Sequence, residues 1–251
     1  MYLVEKLTFE ALEQQDPALA VKLLSKALQL DPFYPFAWTY RGLNWSALGK
    51  KQRAIADFTR SLELDPLYPD AYLARAVAFL DDGDFTNALK DCEVAIALSY
   101  DNIECYRIRS RVYLSNGMLA KALQDCELIL QSQPGDPFAW VTKGYVHHKN
   151  KMLDDALKCY NRAVLLAPKD AGMYYSRAKL HEDLGQDDDA LLDLCAALEL
   201  DSTMAQCYKE RAGIYKRKKL MELALKDYQN FMIFCPNKEE AENFRRFFHS
   251  D

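Results

Sequence analysis

Apolar residues recur along this chain with helical spacing, and the helical stretches themselves recur. Ala20, Val21, Leu24, Ala27 and Leu28 fall on one face of a helix, and Ala88, Leu89, Cys92, Ala95 and Ile96 repeat the arrangement further along. Laid against itself, the sequence shows a period of 34 residues with no insertion or deletion. Ala20, Ala54, Ala88, Ala122, Ala156, Ala190 and Ala224 form one column, and an aliphatic residue follows each. A second column begins with Val4 and continues as Trp38, Tyr72, Tyr106, Trp140, Tyr174 and Tyr208. Four residues after each aromatic stands a small residue: Gly42, Ala76, Ser110, Gly144, Ala178 and Ala212. Small beside large is how closely packed helices interlock.

This pattern predicts two helices per copy and no strand. Asp16-Pro17 and Asp136-Pro137 place a capping carboxylate before a proline suited to a first helical turn. Gly49, Gly83, Gly117 and Gly185 mark the hairpin turns, while Pro32, Pro66, Pro134, Pro168 and Pro236 end their copies, with Tyr100 and Ser202 as the exceptions. The copies divide as 1–34, 35–68, 69–102, 103–136, 137–170, 171–204 and 205–238, leaving 239–251. In that tail Asn237 can cap, Glu239 and Glu240 suit a helix start, and Phe244, Phe247 and Phe248 share a face, so a C-terminal capping helix is expected.

The columns resemble the tetratricopeptide repeat family. The second copy carries the likeness best, with Trp38, Gly42, Trp45, Ala54, Phe58 and Pro66 in the signature slots, although Arg41 and Ser61 depart from the usual leucine and alanine. The first copy, with Val4, Thr8 and Ala11, matches least. The resemblance covers residues 1–238 and implies an all-α fold: antiparallel helix pairs stacked as a right-handed α-solenoid superhelix. It also implies a concave groove lined by the first helix of each copy.

Between aromatic and small residue lies a cation in six copies: Arg41, Arg75, Arg109, Lys143, Arg177 and Arg211. Sixteen residues after each arginine comes an aspartate, namely Asp57, Asp91, Asp125, Asp193 and Asp227. Where the arginine is replaced by Lys143 the partner position is Cys159, and where it is Leu7 the partner is Leu23, so the columns change together. This predicts a structural Arg–Asp fork between the two helices of a copy and argues against a basic stripe for phosphate.

Composition narrows the chemistry. The 251 residues are 50% hydrophobic and 27% charged, the balance of a folded chain, and the formal net charge of −5 disfavours nucleic acid and anionic lipid. No apolar run is long enough for a membrane helix, and Glu5, Lys6, Glu10 and Glu13 interrupt the start where a signal peptide would be apolar. Seven cysteines without a Cys-x-x-Cys pair read as small buried residues in a reducing compartment, and a cytoplasmic location is expected. His147 and His181 occupy a column held elsewhere by aromatics, and neither they nor His148 and His249 suggest a metal site. No catalytic motif and no cofactor-binding loop is present, so an enzyme is not expected.

The first-helix slots predict a partner groove of Phe36, Thr39, Leu43, Leu73, Val77, Arg107, Arg111, Phe138, Val141, Tyr145, His148, Tyr175, Lys179, Lys209 and Lys216. Such a groove suits a peptide or protein segment with apolar anchors and some acidic character, making the chain a protein–protein interaction scaffold or adaptor. Two alternatives are a co-chaperone-like grip on a carboxylate and nucleic-acid binding through the basic run Lys216, Arg217, Lys218 and Lys219. The family's carboxylate clamp finds Leu43 and Ala74 where asparagines belong. Homo-oligomerisation through the terminal copies is a further expectation.

Overall fold

The computed structural model describes residues 2–99, 102–235 and 237–249. Among them are fifteen helices and no strand. By internal packing the chain divides into two compact units, residues 1–129 and 130–251.

The first unit holds α1 (Tyr2–Leu12), α2 (Pro17–Leu30), α3 (Pro35–Ala47), α4 (Lys51–Leu64), α5 (Pro69–Asp82), α6 (Phe85–Leu98), α7 (Ile103–Ser115) and most of α8 (Leu119–Ser132). The second holds α9 (Pro137–Lys149), α10 (Leu153–Leu166), α11 (Ala171–Asp183), α12 (Asp187–Leu200), α13 (Ala205–Arg217), α14 (Met221–Phe234) and α15 (Lys238–His249). From α3 to α13, odd-numbered helices start 34 residues apart, as do the even-numbered ones from α2 to α14.

Several helices start where the chain supplies a cap for their orphan amides. Asp16 accepts the Ala18 amide at 2.9 Å ahead of α2, and Asp136 accepts that of Ala139 at 2.7 Å ahead of α9. Pro35, Pro69 and Pro137 fill first-turn positions whose N–H would have no helical partner. Hairpin turns need a left-handed residue, supplied by Gly49, Gly83 and Gly117 in the first unit. In the second unit Gly185 does the same, but Lys151 (φ 62°) and Lys219 (φ 61°) hold the equivalent positions.

Consecutive helices pack as pairs, and each pair packs on the next within its unit. Odd helices also touch one another, α1 on α3, α3 on α5 and α5 on α7 in the first unit, and α9 on α11 in the second. The alanine column is what lets the pairs close: Ala20, Ala54, Ala88, Ala122, Ala156, Ala190 and Ala224 are all fully buried. Gly42 is required for the same reason, since a Cβ there would stand 2.5 Å from the Phe58 ring, and at Gly144 it would stand 2.8 Å from Tyr160. At the C-terminal end Asn237 accepts the amides of Glu239 and Glu240 at 3.0 and 3.2 Å, starting α15. Phe244 of that helix is buried edge-on against Phe231, 4.9 Å between centroids. The side chains of Phe247 and Phe248 lie outside the described residues.

Candidate functional site

The five arginines of the central column each form the expected fork. Arg41 Nε and Nη2 donate to Asp57 at 2.7 and 2.8 Å. Arg75–Asp91, Arg109–Asp125, Arg177–Asp193 and Arg211–Asp227 repeat it with distances between 2.6 and 2.9 Å. The carboxylates are buried and the guanidinium stems largely covered. The hydrogen-bonded carboxylate of Asp193 raises the Arg177 pKa further. A second link escaped the sequence reading. Nη1 of Arg41, Arg75 and Arg177 reaches back to Ser25 Oγ (3.3 Å), Thr59 Oγ1 (3.1 Å) and Asn161 Oδ1 (2.9 Å), on the second helix of the preceding copy. Arg211 does the same to Cys195 Sγ at 3.2 Å. One guanidinium therefore joins three helices, and the polar residues sixteen positions before each arginine were the available signal. Where the fork is absent, Lys143 sits 5.9 Å from the Trp140 centroid and burial raises the pKa of the Cys159 thiol.

The aromatic column also holds the turns between copies. Trp38 and Trp140 donate their indole N–H to the carbonyls of Pro32 and Pro134 at 2.9 Å. Tyr174 and Tyr208 donate their hydroxyls to Pro168 and Ser202. Ser202 serves where a proline is missing, because only its carbonyl is used.

In the first unit the predicted groove residues separate. Phe36 and Leu43 lie two turns apart on α3 and are 41% and 43% exposed. Thr39 and Leu73 are buried instead, Thr39 donating to Ser61 Oγ at 2.7 Å, so both pack between helices. Val77 is half-buried against the core around Leu73. Arg107 pairs with Glu104 at 2.9 Å, and Arg111 is exposed. Three further tyrosines lie near Phe36. Tyr34 and Tyr68 flank Phe36, with ring centroids 5.7 and 5.0 Å away, and Tyr40 lies one turn further along α3. The repeated Tyr-Pro at Tyr34-Pro35 and Tyr68-Pro69 was the sequence signal.

In the second unit Phe138 and Tyr145 stand where Phe36 and Leu43 stand in the first, 56% and 37% exposed. Val141 is half-buried beside Tyr160 and Leu157. Tyr175 is half-buried and its phenol is pushed up to about 12, chiefly by burial. The basic slots are engaged by carboxylates: His148 Nε2 lies 2.8 Å from Asp183, Lys179 reaches Glu182 at 3.0 Å and Glu210 at 3.1 Å, and Lys209 reaches Glu240 at 2.8 Å. Lys216 is half-buried in the last turn of α13. Beyond it, Arg217 bonds Glu182 and Asp187 at 3.1 and 2.9 Å, and Lys218 bonds Asp188 at 2.7 Å. Two of the four cations in the basic run are thus spent on α11 and α12, and the charge offered to nucleic acid is correspondingly smaller.

His181 meets Gln186 Oε1 at 2.7 Å, and among the described residues no three His, Cys, Asp or Glu side chains converge as a metal site. All seven cysteines are free, and burial pushes the thiols of Cys92 and Cys207 up to about 12, leaving them protonated. No helix among the described residues is long and apolar enough to cross a membrane.

Models of the tetratricopeptide repeat match residues 46–103, 137–170 and 171–204. Solved structures share the fold at low identity. A tetratricopeptide repeat protein from Parabacteroides merdae superposes with a TM-score of 0.85 at 20% identity, with all of both chains covered. A chain of the APC/C hetero-tetramer Cut9–Hcn1 gives 0.78 at 19% identity, over 98% of this chain and 48% of that one. Yeast Tom70 gives 0.73 at 19%, over 98% of this chain and 53% of its own, so this chain spans about half the length of those two. No curated protein matches it in sequence. The three matched segments amount to half of the chain, and with consecutive packed helix pairs throughout the described residues it belongs to the tetratricopeptide repeat family of protein-interaction scaffolds.

Proposed function

We propose that the chain is a non-catalytic scaffold that binds a segment of a partner protein along the odd-numbered helices of its units. The reading takes the chain as seven repeats over 1–238 followed by a capping helix. One observation carries it: large apolar side chains stay exposed at matching places on first helices, Phe36 and Leu43 on α3, Phe138 and Tyr145 on α9. Paired apolar anchors two turns apart on a rigid helix suit an extended or amphipathic segment. Contacts between successive odd helices within each unit support choosing this row, because on that side of each unit neighbouring copies lie closer together. In the first unit Val77 adds to this apolar surface and Thr39 and Leu73 support it from below; in the second Val141 and Tyr175 add to it.

Charge contributes less than the sequence suggested. Arg107, His148, Lys179 and Lys209 already face carboxylates, which leaves the exposed Arg111 as the place where an acidic residue of the partner would register. A photo-crosslinking amino acid placed at 36, 43, 138 or 145 should capture the same partner. The same probe at Leu165 or Leu192, 68% and 70% exposed on even helices, should not. Equal capture from both sets would remove the odd-helix face from consideration.

A further inference from the structure

On the first unit's odd-helix face, three tyrosines and a phenylalanine gather at the entrances of α3 and α5. Tyr34 and Tyr68 immediately precede the prolines that open those helices, so each ring is set at a helix start. Phe36 lies between them, tilted 48° and 54° to the two rings rather than stacked on either. Burial, then Glu5 and Tyr40, raises the Tyr34 pKa; burial, then Tyr40, Asp70, Asp65 and Tyr34, raises that of Tyr68. Both phenols are therefore neutral at physiological pH; Asp65 and Asp70 lie close to Tyr68 along the chain, and the charge of Glu5 on α1 acts on Tyr34.

None of these three carboxylates forms an ion pair among the described residues; Asp65 accepts only the Leu67 amide, at 3.0 Å. Asp70 is exposed in the first turn of α5. Elsewhere the chain sets its own cations over a number of its aromatic rings. Eleven rings, from Trp38 to Tyr215, carry an arginine or lysine within 6.0 Å of the centroid. Among the described residues no such cation lies over Tyr34, Phe36, Tyr40 or Tyr68. Aromatic faces attract a cation through their quadrupole, and nearby carboxylates add a charge of the same preference.

Building on the scaffold reading above, we propose that this cluster receives a basic side chain, arginine or lysine, from an extended segment of the partner protein. Its charged head lies against Phe36 and the tyrosine faces and meets Asp70 and Glu5, while its neighbours in the segment reach Leu43 and Val77. An apolar anchor would fill the same space but leave the carboxylates without a counter-charge, which is why charge complementarity selects a cation.

The test is backbone-amide NMR of the full chain titrated with Ac-Ala-Leu-Arg-Leu-Ala-NH2 and with the same peptide carrying citrulline for arginine, equal in shape but uncharged. The arginine peptide should shift Tyr34, Phe36 and Tyr68 and bind about fivefold more tightly than the citrulline one. Glu5→Gln with Asp70→Asn, changes whose fold is checked by circular dichroism, should shrink that difference to what the aromatic faces alone provide. Equal binding of both peptides at the cluster would overturn the cation site while sparing the odd-helix face. Shifts confined to other odd helices, or none with either peptide, would overturn it too, and the crosslinking experiment then decides separately whether the face binds a partner at all.

Discussion

The two units use one repeat pattern yet join neighbouring hairpin ends, at one equivalent place in each, with opposite electrostatics. In the first, Lys51 at the start of α4 donates to the Asp81 carbonyl and Gln52 to the Asp82 carboxylate at 2.9 Å, at the end of α5. In the second, the equivalent places are reversed: Asp187 and Asp188 open α12, and Arg217 and Lys218 close the hairpin at α13. A helix start carries partial positive charge and a helix end partial negative charge. At this contact the first unit therefore sets its charges against both helix dipoles, and at the equivalent contact the second sets them with both. Backbone geometry runs the other way, since the first unit's left-handed turns are all glycine whereas Lys151 and Lys219 hold two of the second unit's. The same architecture thus tolerates strain in one term where another is favourable, because each turn needs only a sufficient sum.

Packing is the term the units should share, and it offers the largest effect. Gly42→Ala and Gly144→Ala would each drive a methyl into an aromatic ring and should each lower stability by about 2 kcal/mol. Hydrogen exchange read separately for peptides of each unit checks this, and adding Phe58→Leu to Gly42→Ala should recover much of the loss. A response in one unit only would show that the packing is not common to both. The turns come next. Gly83→Lys, at φ 82°, should cost about 1–2 kcal/mol, whereas Lys219→Gly should raise protection of α13 and α14 by about 0.5–1 kcal/mol. Loss of protection in Lys219→Gly would refute the claim of strain there. The smallest difference is electrostatic. Asp187→Lys, which opposes both Arg217 and the α12 dipole, should lower the melting midpoint by the equivalent of about 0.5 kcal/mol after solvent screening, an effect that fades in high salt. Lys51→Glu should change stability less, since it loses one bond while improving the dipole match; a larger loss than that of Asp187→Lys would invert the comparison.

Much of the internal wiring was readable before any coordinates. The Arg–Asp forks were legible because both columns change together at Lys143 and Cys159, as expected of side chains that meet. The backward link to Ser25, Thr59, Asn161 and Cys195 was not, because those residues differ in type and share only the ability to accept a hydrogen bond. The groove was legible in outline. Phe36, Leu43, Phe138 and Tyr145 are exposed, but helical spacing alone does not distinguish a surface slot from an interhelical one, and Thr39 and Leu73 turned inward. Tyr34 and Tyr68 escaped notice because they precede the helices whose faces were being read.

By itself the sequence determined the period, the helix pairs, the capping residues and the forks within a pair, since all of these join residues at a constant short separation in the chain. Only the tertiary structure decided which cations are already engaged and which aromatic faces are not. Lys179, Lys209, Arg217 and Lys218 each meet a carboxylate on a neighbouring helix, whereas Tyr34, Phe36 and Tyr68 gather without a cation over them. The reason is physical: whether a charge is available depends on what stacking brings beside it, and that juxtaposition is set by how successive helix pairs pack rather than by any local pattern.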